Sequence, residues 1–153
     1  HVTNKLNSIS KTIAEKRNVR NVYVTKRGLE KNSFCEILQE NNIHFIVLAG
    51  FLLKLPSRLV SSFDKKIINL HPSLLPKFGG KGMYGDNVHL KVLDSDEKKT
   101  GITIHYVNEE YDSGNIIFQK EIELCDAETL QTLREKIREV EYYYFPRIIK
   151  SLL

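Results

Sequence analysis

The chain has 153 residues, enough for one domain with a real core, and its 41% apolar and 27% charged composition is that of an ordinary globular protein. Twenty-three basic residues against 19 acidic ones leave a formal charge of +4, spread along the chain rather than gathered with aromatics into a stripe; this argues against a nucleic-acid partner. No apolar run is long enough to span a bilayer and no signal-peptide pattern opens the chain, so no membrane partner and a cytoplasmic location are expected.

Residues 1–4 read as the end of a strand, and a helix is predicted over 8–17 with Ile9 and Ile13 on one face. A short strand at 21–25 precedes a helix over 29–41, in which Phe34, Ile37 and Leu38 recur at helical spacing. Residues 43–49 form a nearly continuous apolar run, expected as a strand buried on both faces of a parallel sheet. Pro56 opens a short helix to Phe63, and 66–70 is a further buried strand. A Gly- and Pro-rich loop over 72–83 leads to a helix over 84–93. Late strands are expected over 100–107 and 115–124, joined through the turn residues 111–114. The last helix follows Asp126, its expected cap, carries Leu130, Leu133, Ile137, Val140 and Tyr144 as its stripe, and should kink or end at Pro146. Alternating strands and helices predict an α/β fold: an open, mostly parallel twisted sheet with helices on both faces and partly antiparallel late strands.

Open α/β sheets bind ligands at the carboxyl ends of their strands, and two such ends here carry polar side chains. Asn69 and His71, two apart, project to one side of their strand. An amide and an imidazole together can steady a developing oxyanion and move a proton, and Asp112 could orient the ring and favour its charged form. No Ser or Cys sits in a nucleophile elbow, so the attacking group is expected to come from the substrate. The pair alone leaves a structural reading open, and His44 and His89 are read as structural. A metal site from His71, His105 and Asp112 lacks a dedicated ligand spacing, and no metal is expected. Glycines 79, 80 and 82 lack the Lys-Ser/Thr ending of a phosphate loop. Cys35 and Cys125, far apart, read as reduced structural thiols.

Residues 47–51 (Val-Leu-Ala-Gly-Phe), 68–78 (Ile-Asn-Leu-His-Pro-Ser-Leu-Leu-Pro-Lys-Phe), 101–107 (Gly-Ile-Thr-Ile-His-Tyr-Val) and 111–114 (Tyr-Asp-Ser-Gly) together resemble the folate-dependent formyltransferases of the phosphoribosylglycinamide type. The likeness runs the length of the chain and implies a Rossmann-like formyltransferase fold. It implies formyl transfer from 10-formyltetrahydrofolate to glycinamide ribonucleotide in purine biosynthesis, with small-molecule partners and an assembly compatible with a homodimer. On the resemblance, Asn69, His71 and Asp112 match the catalytic trio, with His105 lining the same site. The pterin-holding segment corresponds to Leu52, Leu53, Lys54 and Leu55, and the folate loop to residues 106–112, which brings in Val107. Arg27 corresponds loosely to a folate-contacting arginine, and Arg138 and Glu141 to ribonucleotide contacts. Against that family, residues 1–153 read as a single domain lacking an opening strand, phosphate loop and helix, roughly 30–45 residues, so weak turnover is expected of this polypeptide alone. Two alternatives stand beside this reading. One is another formyltetrahydrofolate-using enzyme, a hydrolase or a sugar or tRNA formyltransferase; the other is a non-catalytic folate-binding module.

Overall fold

The computed structural model describes residues 1–153, the side chain of Asn32 excepted. Two strands, β1 (Val2–Thr3) and β2 (Val22–Tyr23), pair in parallel around α1 (Ile9–Lys16). A second sheet has the order β3-β4-β5-β6, built from β3 (Ile46–Ala49), β4 (Ile67–His71), β5 (Lys99–Tyr106) and β6 (Ile116–Glu123). β3 and β4 run parallel, as a crossover through α4 (Ser57–Ser62) allows, and β4-β5 and β5-β6 are antiparallel. Parallel early strands and antiparallel late ones match the sequence reading, in two sheets with the parallel and antiparallel pairings evenly balanced.

β4 is covered from both sides. Ile67 packs with Leu29, Phe34, Leu38, Leu59 and Phe63, from α2 (Lys26–Leu29), α3 (Asn32–Glu40) and the α4 region. Its neighbour Ile68 joins Ile104 and Phe145 of α6 (Leu130–Leu152). A third cluster of Val92, Ile102, Leu133 and Ile137 locks α5 (Asp86–Leu93) and α6 to β5. Among the described residues no helix is long and apolar enough to cross a membrane.

Several local expectations change. The run at 43–49 is a strand only from Ile46, and it is not buried on both faces: Val47 is 39% exposed, because β3 is an edge strand paired only with β4 and covered on one face. The helix expected over 29–41 is two, α2 capped by Thr25 and α3 starting at Asn32. Ile9 and Ile13 are exposed, and Ala14 is the residue α1 buries.

α6 is capped by Thr129 rather than Asp126; its hydroxyl accepts from the Thr132 amide while the Thr132 hydroxyl accepts from the Thr129 amide, the reciprocal arrangement of a capping box. Pro146 does not end this helix, which runs on to Leu152. A proline inside a helix costs about 3 kcal/mol. Phe145, Ile148, Ile149 and Leu152 all pack on the Ile68–Ile104 cluster, and burying apolar side chains at roughly 1.5–3 kcal/mol for each fully covered one outweighs that cost.

Candidate functional site

β4 ends in Asn69 and His71, and antiparallel pairing sets Asn69 directly opposite His105 of β5. A register irregularity between Ile104 and His105 interrupts the β5-β6 ladder beside that histidine; bulges of this kind re-aim side chains near functional sites. Asp112 is brought over the strand end by the turn that follows β5. Its φ of 51° lies in the left-handed region, which aspartate tolerates better than most residues. Gly114 makes the turn possible: a Cβ there would sit 1.8 Å from the Tyr106 carbonyl oxygen.

The four side chains converge. Asn69 Nδ2 lies 3.2 Å from His105 Nε2 and donates to Asp112 Oδ1 at a long 3.5 Å. Asp112 Oδ2 accepts from the Gly80 amide at 2.9 Å and faces His71 Nδ1 at 3.6 Å. His105 Nδ1 donates to the Tyr106 carbonyl at 2.8 Å, which leaves Nε2 to face the Asn69 amide. His71 Nε2 donates in the same way to the Phe78 carbonyl at 2.8 Å, which leaves Nδ1 of the neutral ring free to take a proton.

Burial pushes the His71 imidazole below its ordinary range; the Asp112 charge works the other way, as expected, and only partly offsets this. Burial works to raise the Asp112 carboxyl as well. The adjoining His105 ring, the His71 ring and the Gly80 amide outweigh it and hold Asp112 below the usual carboxylate range.

Asn69, His71 and Asp112 line a cavity of about 770 Å³, within the range of small-molecule sites. The end of β3 and Leu52 contribute to its lining, as do Ile137, Arg138 and Glu141 on α6. Burial lifts the Glu141 carboxyl to about 6, with Arg138 only partly holding it down. His105 is 2% exposed and stands behind Asn69 rather than in the wall. Lys54 is not in the lining, though its Nζ lies 5.8 Å from the centre of the ring of Tyr111, which is.

The remaining sequence-predicted residues are not brought to this cavity. Leu55 is buried in the core, Leu53 and Val107 pack on that same cluster, and Arg27 is exposed on α2 outside the cavity wall. Sequence reasoning missed the 80–86 loop, His89 and Arg134, which complete the wall. Arg134 clasps Asp86 through two hydrogen bonds, tying the start of α5 to α6. The signal for the loop was its glycines, Gly80, Gly82 and Gly85, in the connection between the strand bearing Asn69 and His71 and the next helix. His71, His105 and Asp112 meet, yet among the described residues no group of three His, Cys, Asp or Glu is disposed to hold a metal ion.

An amide donor, an imidazole and a carboxylate stand together at the carboxyl end of a strand, where α/β sheets place their ligand sites. The chain belongs to the formyl transferase family, whose model matches residues 2–149. It is 38% identical to the chloroplastic phosphoribosylglycinamide formyltransferase of Arabidopsis thaliana over 82% of its own length and 43% of that protein. Identity is also 38% to the phosphoribosylglycinamide formyltransferase of Bacillus subtilis, over 86% of this chain and 64% of that one. The chain therefore spans less than two thirds of either relative. The crystal structure of phosphoribosylglycinamide formyltransferase from Bacillus halodurans superposes with a TM-score of 0.89 at 30% identity, covering 99% of this chain and 78% of the other.

Proposed function

We propose that the protein transfers a formyl group from 10-formyltetrahydrofolate to the amino group of glycinamide ribonucleotide, a step of purine biosynthesis. The observation that carries this reading is the convergence of Asn69, His71 and Asp112 on one cavity in a chain of the formyl transferase family.

The substrate amine attacks the formyl carbon, and negative charge gathers on the formyl oxygen. Asn69 supplies the donor for that oxygen. The hydrogen it now directs at Asp112 spans 3.5 Å and is readily redirected, while the other stays on His105. His71, neutral at rest, accepts the proton that leaves the amine and becomes an imidazolium against Asp112. Collapse of the tetrahedral species breaks the bond to N10 of the folate, and the proton held by His71 passes to that nitrogen. The sum is one formyl group moved and one proton relocated. Leu52 and the end of β3 offer an apolar wall for the pterin, and Arg138 with Glu141 a polar wall for the ribonucleotide. Two free cysteines, Cys35 and Cys125, suit a reducing, cytosolic setting.

The test is an assay of the full-length protein with both substrates, following formylated ribonucleotide and released tetrahydrofolate together. Equal amounts of both are expected. Formate in place of the formylated product would overturn the reading in favour of a hydrolase, and folate binding without turnover would favour a binding module.

A further inference from the structure

His89 lies one turn into α5, 7% exposed, with Nδ1 fully buried and without a hydrogen-bond partner. An unpaired buried polar atom is uncommon in a native protein and asks for an explanation. The ring lines the same cavity as Asn69 and His71; with Nδ1 fully buried, Nε2 is the nitrogen that remains to meet a ligand there. Stranded buried N–H groups are rarer than stranded acceptors, so the favoured tautomer keeps a bare lone pair on Nδ1 and the hydrogen on Nε2. The ring thus presents a donor to the cavity. Packing of Val88 and Val92, both fully buried on α5, fixes the helix that carries it, and the Arg134–Asp86 pair ties that helix to α6.

We infer that His89 is a substrate-contacting residue whose Nε2–H donates to an acceptor oxygen of the amine-bearing substrate. Arg134, Arg138 and Glu141 line the same cavity and are polar, whereas Leu52, just past the end of β3, is apolar. An oxygen-rich amine belongs against the first and a pterin against the second. This inference rests on the formyl-transfer reading above.

The experiment compares wild type, His89→Phe and His89→Gln of the full-length protein in steady-state transfer. Phenylalanine fills the ring's place without a donor, and glutamine returns an N–H. For His89→Phe, KM for the amine substrate should rise about tenfold, the scale of one lost hydrogen bond, with KM for the formyl donor unchanged. His89→Gln should recover to within about threefold of wild type. In parallel, the 15N resonance of His89 Nε2 in the wild-type protein should shift on adding the amine substrate and stay in place on adding folate alone. A merely structural histidine would lower Tm in His89→Phe and leave both KM values and the resonance unmoved; that result overturns the inference. The resonance decides the matter if His89→Phe does not fold. Wild-type turnover separates the two readings: no transfer by wild type would sink the functional assignment, while normal transfer by wild type and by a folded His89→Phe alike would sink only the His89 contact.

Discussion

Replacing Glu141 by glutamine should make the folded protein more stable at neutral pH and no more stable in mild acid. Burial raises the Glu141 carboxyl from its ordinary 4.5 to about 6. That displacement corresponds to about 2 kcal/mol of preference for the protonated form in the folded chain. The sign follows from linkage. A carboxyl whose folded value is raised contributes stability that is complete below the unfolded value of 4.5 and is lost as pH climbs through about 6. Glutamine carries no such term, so its advantage over wild type should grow by about 2 kcal/mol between about pH 4.5 and about pH 7.5. For a domain of this size that is roughly 4–8 °C in Tm. Thermal unfolding followed by circular dichroism at each pH measures it directly. A difference in Tm between the two proteins that stays constant across this range would refute the account of Glu141. The same substitution should weaken the amine substrate, since a carboxylate kept in a low-dielectric wall at a cost in stability is placed to meet a polar ligand.

Asn69→Ala should lower kcat about a hundredfold, the loss that follows removal of one oxyanion donor, and cost about 1–3 kcal/mol of stability because buried His105 loses its partner; stopped-flow transfer assays with thermal melts separate the two effects. Gly114→Ala would drive a Cβ to 1.8 Å from the Tyr106 carbonyl oxygen. The turn bearing Asp112 must then shift, so activity should fall well beyond any loss of stability, measured by kcat against Tm. Leu133→Ala, at a fully buried position between α6 and β5, should cost about 2–5 kcal/mol in urea unfolding, with kcat of the surviving folded fraction unchanged.

Much of this architecture was legible because hydrophobic period and turn chemistry agree locally. The short helix after Pro56, the strand ending at His71 and the stripe of α6 all lie where their patterns place them. The errors have physical causes. An apolar run at 43–49 predicts burial, but whether a strand has two neighbours depends on topology, and β3 has one. Pro146 predicts a break, yet the distant surface supplied by Ile68 and Ile104 holds the helix together past it. At the site, two-residue spacing was enough to align Asn69 with His71. The neighbourhood of His105 needed the antiparallel register, which no local pattern encodes. The downward push on the His71 imidazole needed the depth of its burial, and the role of the 80–86 loop in lining the cavity needed three dimensions.

Because Asn69 faces His105 across paired backbone ladders, the position of its amide is a property of strand alignment rather than of any loop. Sliding β4 by a single residue would turn that amide to the opposite surface of the sheet and expel it from the reaction. Changes in the segments around the rim can therefore retune which molecules are admitted while the Asn69 amide keeps its place. Chemistry and recognition in this protein are free to diverge at different rates.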